Sequence, residues 1–141
     1  MGHGNLANTV SVFVNDEMIM THVTPESVVQ RQLDAYNARD IDALMATYAD
    51  DIELYEHPAK LLASGAAQVR ERQAVRLDEP NLHAKLIQRM VMGNMVIDQE
   101  VITRTFPEGT GRIELIATYL VQENRIAKAW FIFGAKTLDV K

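Results

Sequence analysis

Residues Leu82–Gly134 read LHAKLIQRMVMGNMVIDQEVITRTFPEGTGRIELIATYLVQENRIAKAWFIFG, and this stretch decides the fold. Its apolar residues alternate along most of its length instead of recurring at helical spacing. Four strands are predicted: Leu82–Met92, Met95–Phe106, Arg112–Gln122 and Arg125–Gly134. Gly93-Asn94 and Glu123-Asn124 stand where tight hairpin turns belong, and Pro107-Glu108-Gly109-Thr110-Gly111 supplies a longer connection. The last two strands are apolar on both faces. Leu115, Ala117, Tyr119 and Val121 alternate with Ile116, Thr118 and Leu120; Ala129, Phe131 and Phe133 alternate with Ile126, Trp130 and Ile132. Helices of the chain can cover one face, so the second implies a homodimer through the sheet.

Upstream, the period becomes helical. Thr24 is a good N-cap, Pro25 suits the first helical position, and Glu26 complements the helix dipole. Val28, Val29, Leu33 and Tyr36 then form an apolar stripe. Asn37-Ala38-Arg39-Asp40 breaks it, and Asp40 caps a second helix carrying Ile41, Leu44, Met45 and Tyr48, which ends around Ala49–Asp51. Ile52–His57 reads as a short strand stopped by Pro58, Leu61–Gly65 as a loop, and Ala66–Leu77 as a third helix, with Pro80 closing the segment. Helices first and a hairpin-linked sheet afterwards make an α+β domain with the helices on one face. Residues 23–141 form this single domain. Residues 1–22 are read as an N-terminal extension, in which Thr9–Val14 and Glu17–Met20 can pair about a turn at Asn15-Asp16.

Composition bounds the function. A chain of 141 residues buries enough surface to fold without staples. A net charge of -5 argues against nucleic acid and against an anionic membrane surface. The absence of cysteine removes disulfides and thiolate chemistry and suits a reducing compartment. No apolar run approaches the ~18 residues of a membrane span. No basic-then-apolar leader is read at the N-terminus, so a cytoplasmic location is expected. No His/Asp/Glu cluster has metal-ligand spacing, and no glycine-rich phosphate loop or Gly-x-Ser-x-Gly word occurs. No metal and no cofactor are expected.

Ala35-Tyr36-Asn37-Ala38-Arg39-Asp40-Ile41-Asp42-Ala43-Leu44, followed by Tyr48-Ala49-Asp50-Asp51, resembles the helical opening of nuclear transport factor 2-like proteins. The closing Asn124-Arg125-Ile126-Ala127-Lys128-Ala129-Trp130 resembles the same superfamily, and the likeness covers about residues 24 to 135. It implies a cone-shaped fold, about three N-terminal helices packed on a curved, mostly antiparallel sheet. Relatives include SnoaL-like polyketide cyclases, ketosteroid isomerases, dehydratases, epoxide hydrolases and non-catalytic binding domains. The ketosteroid isomerase layout uses a carboxylate base after the second helix, a tyrosine on the first helix and a protonated aspartate on a later strand. Matched to that layout, the base falls on Glu56, or on His57 if aligned from Pro58. The helix tyrosine falls on Gln32, with Tyr36 one turn further on, and the strand aspartate falls on Ala117. The resemblance thus implies a base without the isomerase's two oxyanion donors.

Neighbours in a strand point to opposite faces, so Glu56 and His57 cannot both enter a pocket without a bulge. Glu56 among apolar side chains would have a raised pKa, and an inward His57 would titrate near neutrality; either would serve as base. Asp98, Glu100, Ile102 and Arg104 share one strand face, which by comparison with the isomerase looks inward. There a carboxylate would need Arg104 or a hydroxyl as partner. Such a group resembles the water-activating arrangement of epoxide-hydrolysing relatives. Tyr36, Tyr119 and Phe131 are candidate pocket residues, the two phenols as donors to a ligand carbonyl. The expected function is acid–base chemistry, of isomerase, cyclase or lyase type, on a small apolar carbonyl compound. The alternative is a non-catalytic ligand-binding or dimerisation domain of the same fold.

Overall fold

The computed structural model describes residues 9–14 and 17–139, with side chains from Val23 onward. The elements in chain order are β1 (Thr9–Val14), β2 (Glu17–His22), α1 (Pro25–Ala38), α2 (Ile41–Met45), β3 (Tyr48–Glu56), β4 (Lys60–Ser64), α3 (Ala66–Leu77), β5 (His83–Met92), β6 (Met95–Phe106), β7 (Gly109–Gln122) and β8 (Arg125–Leu138). β1 and β2 pair antiparallel as a two-stranded sheet of their own. The turn expected at Asn15-Asp16 lies outside the described residues. The main sheet has six strands in the order β4-β3-β8-β7-β6-β5. Every neighbouring pair in it is antiparallel except β3 and β8, which are parallel. Three helices on a curved, mostly antiparallel sheet make the α+β cone.

Local chemistry sets the boundaries of these elements. Thr24 and Ser27 form a reciprocal capping box at the start of α1, each side-chain oxygen accepting the other's backbone N–H. Arg39 ends α1 in the left-handed region at φ 58°, and the Asp40 carboxylate caps α2 by accepting from the Ala43 N–H at 3.0 Å. α3 spans Ala66–Leu77, matching the reading from periodicity. The Glu123-Asn124 turn carries positive φ at both residues, which suits a tight hairpin between right-twisted strands.

Several expectations need correction. The second helix stops at Met45 instead of running to Ala49–Asp51. The Thr47 backbone N–H and hydroxyl both turn back to the Leu44 carbonyl, and the chain enters β3 at Tyr48. Leu61–Ser64, expected as loop, belongs to β4 and pairs with β3. The connection at Pro107 is a two-residue turn, since Phe106 already pairs with Gly109 and β7 begins there. β8 also runs four residues past Gly134, to Leu138. Gly111 makes that extension possible: it faces Leu138 in the ladder, and a Cβ at Gly111 would collide with the Thr137 carbonyl oxygen.

The core lies between the helices and the inner face of the sheet. Val28, Val29, Leu44, Ile52, Val69, Val96 and Ile126 are all fully buried there. The other face is apolar yet open: Ile116 and Ile132 are 39% and 45% exposed, and the Trp130 ring stacks on Tyr55 with centroids 6.0 Å apart.

Candidate functional site

Burial along β6 alternates, so Val96, Asp98, Glu100 and Ile102 face the helices and Arg104 follows on the same side. Across from it, β5 carries a bulge. Leu86 pairs with Glu100 and Gln88 with Gln99, leaving Ile87 as the extra residue. One extra residue reverses which side chains point inward, and this brings Arg89 opposite Asp98. The two form a bidentate ion pair, Nε to Oδ1 at 2.7 Å and Nη2 to Oδ2 at 2.9 Å, with the Asp98 side chain fully buried. Arg89 also donates to Gln30 Oε1 of α1 at 2.9 Å. The partner of Asp98 is therefore Arg89, in place of the Arg104 or hydroxyl expected from the sequence.

Glu100, one step along the same face, is buried and faces a cavity of about 110 Å³. No hydrogen bond from another described side chain reaches it. Desolvation raises its pKa from the ordinary 4.5 to about 7, the charge on Asp98 adds to the rise, and Arg89 offsets part of it. Tyr36 of α1, Tyr119 of β7 and Phe131 of β8 line the same cavity, together with Gln32, Gln73 and Leu115. Burial raises the pKa of Tyr36 and of Tyr119, so both phenols keep their protons and act as donors throughout the neutral range. Just outside the lining, the buried Tyr48 hydroxyl accepts from Gln73 Nε2 at 3.1 Å and Gln32 Nε2 at 3.5 Å. With its lone pairs occupied by amide donors, this phenol too is arranged to donate its hydrogen.

Beyond this chamber lies an open cleft of about 730 Å³. Arg72 and Arg76 of α3 and Arg104 of β6 line both spaces and therefore stand at their junction. The Arg104 guanidinium also lies over the Phe106 ring, 4.7 Å from its centroid.

Glu56 and His57 do not line the chamber. Glu56 is half-buried at the end of β3 and pairs with Phe131 across the parallel ladder, one strand away from the cavity wall. His57 is exposed, and its backbone N–H donates to the Phe131 carbonyl at 2.8 Å. The expected entry of one of them into the pocket is thus not what the geometry gives: Glu56 is the last residue of β3, one strand beyond Phe131 in the wall, and His57 lies past the end of that strand. Sequence reading missed Gln73, Arg72 and Arg76, and gave Gln32 only as the residue standing where the isomerase has its helix tyrosine. The two glutamines did leave a signal, since each interrupts an otherwise apolar helix stripe: Val28, Val29, Gln32, Leu33 on α1 and Val69, Gln73, Leu77 on α3.

The fold that encloses this carboxyl and these phenols has relatives among known proteins. The SnoaL-like domain matches residues 29–129, most of the chain. The chain belongs to the SnoaL-like domain family. Among curated proteins, none matches it in sequence. Among solved structures, this SnoaL-like domain is similar to an uncharacterised cystatin-fold protein from Novosphingobium aromaticivorans, with a TM-score of 0.72 and 20% identity over 78% of this chain and 98% of that one. It is also similar to a putative SnoaL-like polyketide cyclase from Shewanella denitrificans, with a TM-score of 0.69 and 12% identity over 77% and 89% of the two chains. A third is an LEH-like epoxide hydrolase from M. tuberculosis, with a TM-score of 0.68 and 15% identity over 77% and 81%. At these identities the likeness is one of fold, and the chemistry of the SnoaL-like domain has to be argued from its own cavity. Among the described residues, no helix is long and apolar enough to cross a membrane, and no group of His, Asp and Glu side chains is placed to hold a metal ion.

Proposed function

We propose that the chain is an enzyme performing acid–base chemistry on a small, largely apolar carbonyl compound held in the cone. The single observation that carries this reading is Glu100: a buried carboxyl, without a hydrogen bond from any other described side chain, facing a cavity and titrating near pH 7. A pKa near the working pH is where a carboxyl transfers protons best, because both forms are populated. Tyr36 and Tyr119 line the same cavity, each a donor for the oxyanion that forms when a proton leaves the carbon next to a carbonyl. Glu100 takes that proton and returns it elsewhere on the substrate, the common core of isomerase, cyclase and lyase steps. Glu56 and His57, the bases expected from the sequence, then act at most at the rim.

The test is deuterium exchange at the carbon next to the carbonyl, followed by NMR over a panel of ketones, β-diketones and keto acids. Exchange should rise with pH through an inflection near 7 and be lost in Glu100→Gln, while Glu56→Gln and His57→Ala retain it. Exchange that Glu100→Gln leaves intact would remove Glu100 from the mechanism.

The proposal also includes a homodimer through the open face of the sheet. Its support is the apolar surface of Ile116, Ile132 and the Tyr55–Trp130 stack, together with half-buried Ile97, Val101 and Leu120 on the same face. A chain without cysteine fits a reducing compartment, which supports a cytoplasmic location as part of the same proposal.

A further inference from the structure

Three guanidinium groups meet where the inner chamber opens into the outer cleft. Arg72 and Arg76 are one helical turn apart on α3, and Arg104 arrives from the inner face of β6. Among the described residues, none of the three forms an ion pair, while Arg70, on the same helix, is paired with Asp42 at 2.5 Å. Arg104 Nε is buried and has no hydrogen-bond partner. Desolvation and then the charge of Arg76 lower the pKa of both Arg72 and Arg104, so the cluster repels itself. Two carboxylates share the outer cleft, Glu71 and Glu79. Glu79 is turned toward Asn81 N–H and the Thr105 hydroxyl, at 3.0 and 2.8 Å, and its other oxygen is buried without a partner. The chain therefore brings three cations together: the nearby Glu79 charge offsets part of the repulsion at Arg104, but among the described residues none of the three is held in an ion pair.

Resting on the reading of the chamber above, we infer that the natural ligand carries a carboxylate, which Arg72, Arg76 and Arg104 bind at the mouth while the carbonyl end enters toward Glu100 and the tyrosines. Guanidinium forks match a carboxylate bidentately, and Arg104 Nε has an unused donor for it. The inner chamber, at about 110 Å³, holds a short body and excludes a polycyclic one. Glu100 and Arg104 are four residues apart on one strand, about 13 Å at Cα, and long side chains at both ends shorten the gap. The ligand class is accordingly an aliphatic keto acid whose carbonyl and carboxylate are separated by several bonds.

The test uses 4-oxopentanoate, 5-oxohexanoate, 6-oxoheptanoate and 7-oxooctanoate, each beside its methyl ester, with binding read by calorimetry and by ligand-dependent thermal shift. At least one acid should bind about tenfold or more tightly than its ester, since charge-assisted bonds are lost with the charge. In Arg72→Ala/Arg76→Ala, both on α3, that preference should collapse to about twofold or less. Arg104→Gln should act in the same direction, and the helix double variant guards against any loss of folding in the strand variant. Equal binding of acid and ester, no saturable binding by any acid, or a preference that survives in the double variant each overturns the inference. Binding does not require Glu100 to move a proton, so acid preference that persists while Glu100→Gln leaves exchange intact would refute the catalytic reading alone.

Discussion

Replacing Glu100 by Gln should make the protein more stable at alkaline pH and leave the difference small in acid. In the folded chain Glu100 titrates at about 7, against an ordinary 4.5 for an exposed glutamate. A carboxyl whose pKa is raised by folding stabilises the native state below its unfolded pKa, and that contribution is lost as pH rises toward the folded pKa. The window is therefore about pH 4.5 to 7. A displacement of this size corresponds to about 3 kcal/mol at full ionisation. Gln keeps the shape and removes the titration, so wild type should lose about 3 kcal/mol relative to Glu100→Gln between pH 4 and pH 8. A chain of this length has an unfolding entropy of roughly 0.3 kcal/mol/K, which turns that figure into a relative Tm change of about 10 °C. Urea denaturation or calorimetry of both proteins across the range measures it directly. Parallel curves, with a Tm difference independent of pH, would refute the desolvated carboxyl and with it the base assigned to the site.

The same geometry sets three further outcomes. Arg89→Leu leaves Asp98 buried and unpaired, and chemical denaturation at pH 7 should show a loss of about 3–5 kcal/mol; recovery in Arg89→Leu/Asp98→Leu would separate the lost pair from lost packing. Gly111→Ala forces a Cβ against the Thr137 carbonyl and the Leu138 Cα and should cost about 1–3 kcal/mol, read as a lower Tm with β8 losing amide protection beyond Gly134. Ile116→Lys, in the open apolar face, should convert a dimer to monomer in sedimentation without lowering the helix content; a wild type that stays monomeric across a broad concentration range would discard the dimer.

Most of the fold was legible because its signals are local. Thr24-Pro25 and Asp40 announce their helices by capping chemistry, and the hairpin turns at Gly93 and Glu123-Asn124 sit between long alternating runs. The second helix was overextended because Ile41, Leu44, Met45 and Tyr48 repeat at helical spacing by coincidence. Tyr48 instead opens β3, whose register against β8 slips between Tyr48 and Glu53, so no alternation marks Ala49–Asp51 as strand. β4 was invisible because a five-residue edge strand beside Pro58 and Gly65 reads like a loop. At the site, one-strand periodicity was enough to bring Asp98, Glu100 and Arg104 onto one face. It was not enough to find the partner of Asp98, because the bulge at Ile87 that turns Arg89 inward has no signature in composition. Glu56 and His57 stood out by their match to the isomerase base position after the second helix, and the contacts that leave them at the end of β3 are long-range.

The inner face of β6 divides its charges into two kinds, and that division is the strongest reason to regard the cavity as functional. Asp98 is buried and fully compensated: two guanidinium bonds satisfy it, and Gln30 steadies the arginine that makes them. A buried pair of this kind costs about as much desolvation as it returns in attraction, so its value lies in fixing where β5 meets α1. Glu100 and Arg104 are the opposite case. Both lie on the same face within four residues, both are displaced from their ordinary pKa by desolvation, and neither is given an ion-pair partner among the described residues. A chain that solved the same problem two residues away with a bidentate arginine has left these two unsolved, and each borders the cavity. Apolar residues in their places would avoid that desolvation cost. Their retention as charged groups makes physical sense if a ligand completes them, the carbonyl end beside Glu100 and the acid end beside Arg104.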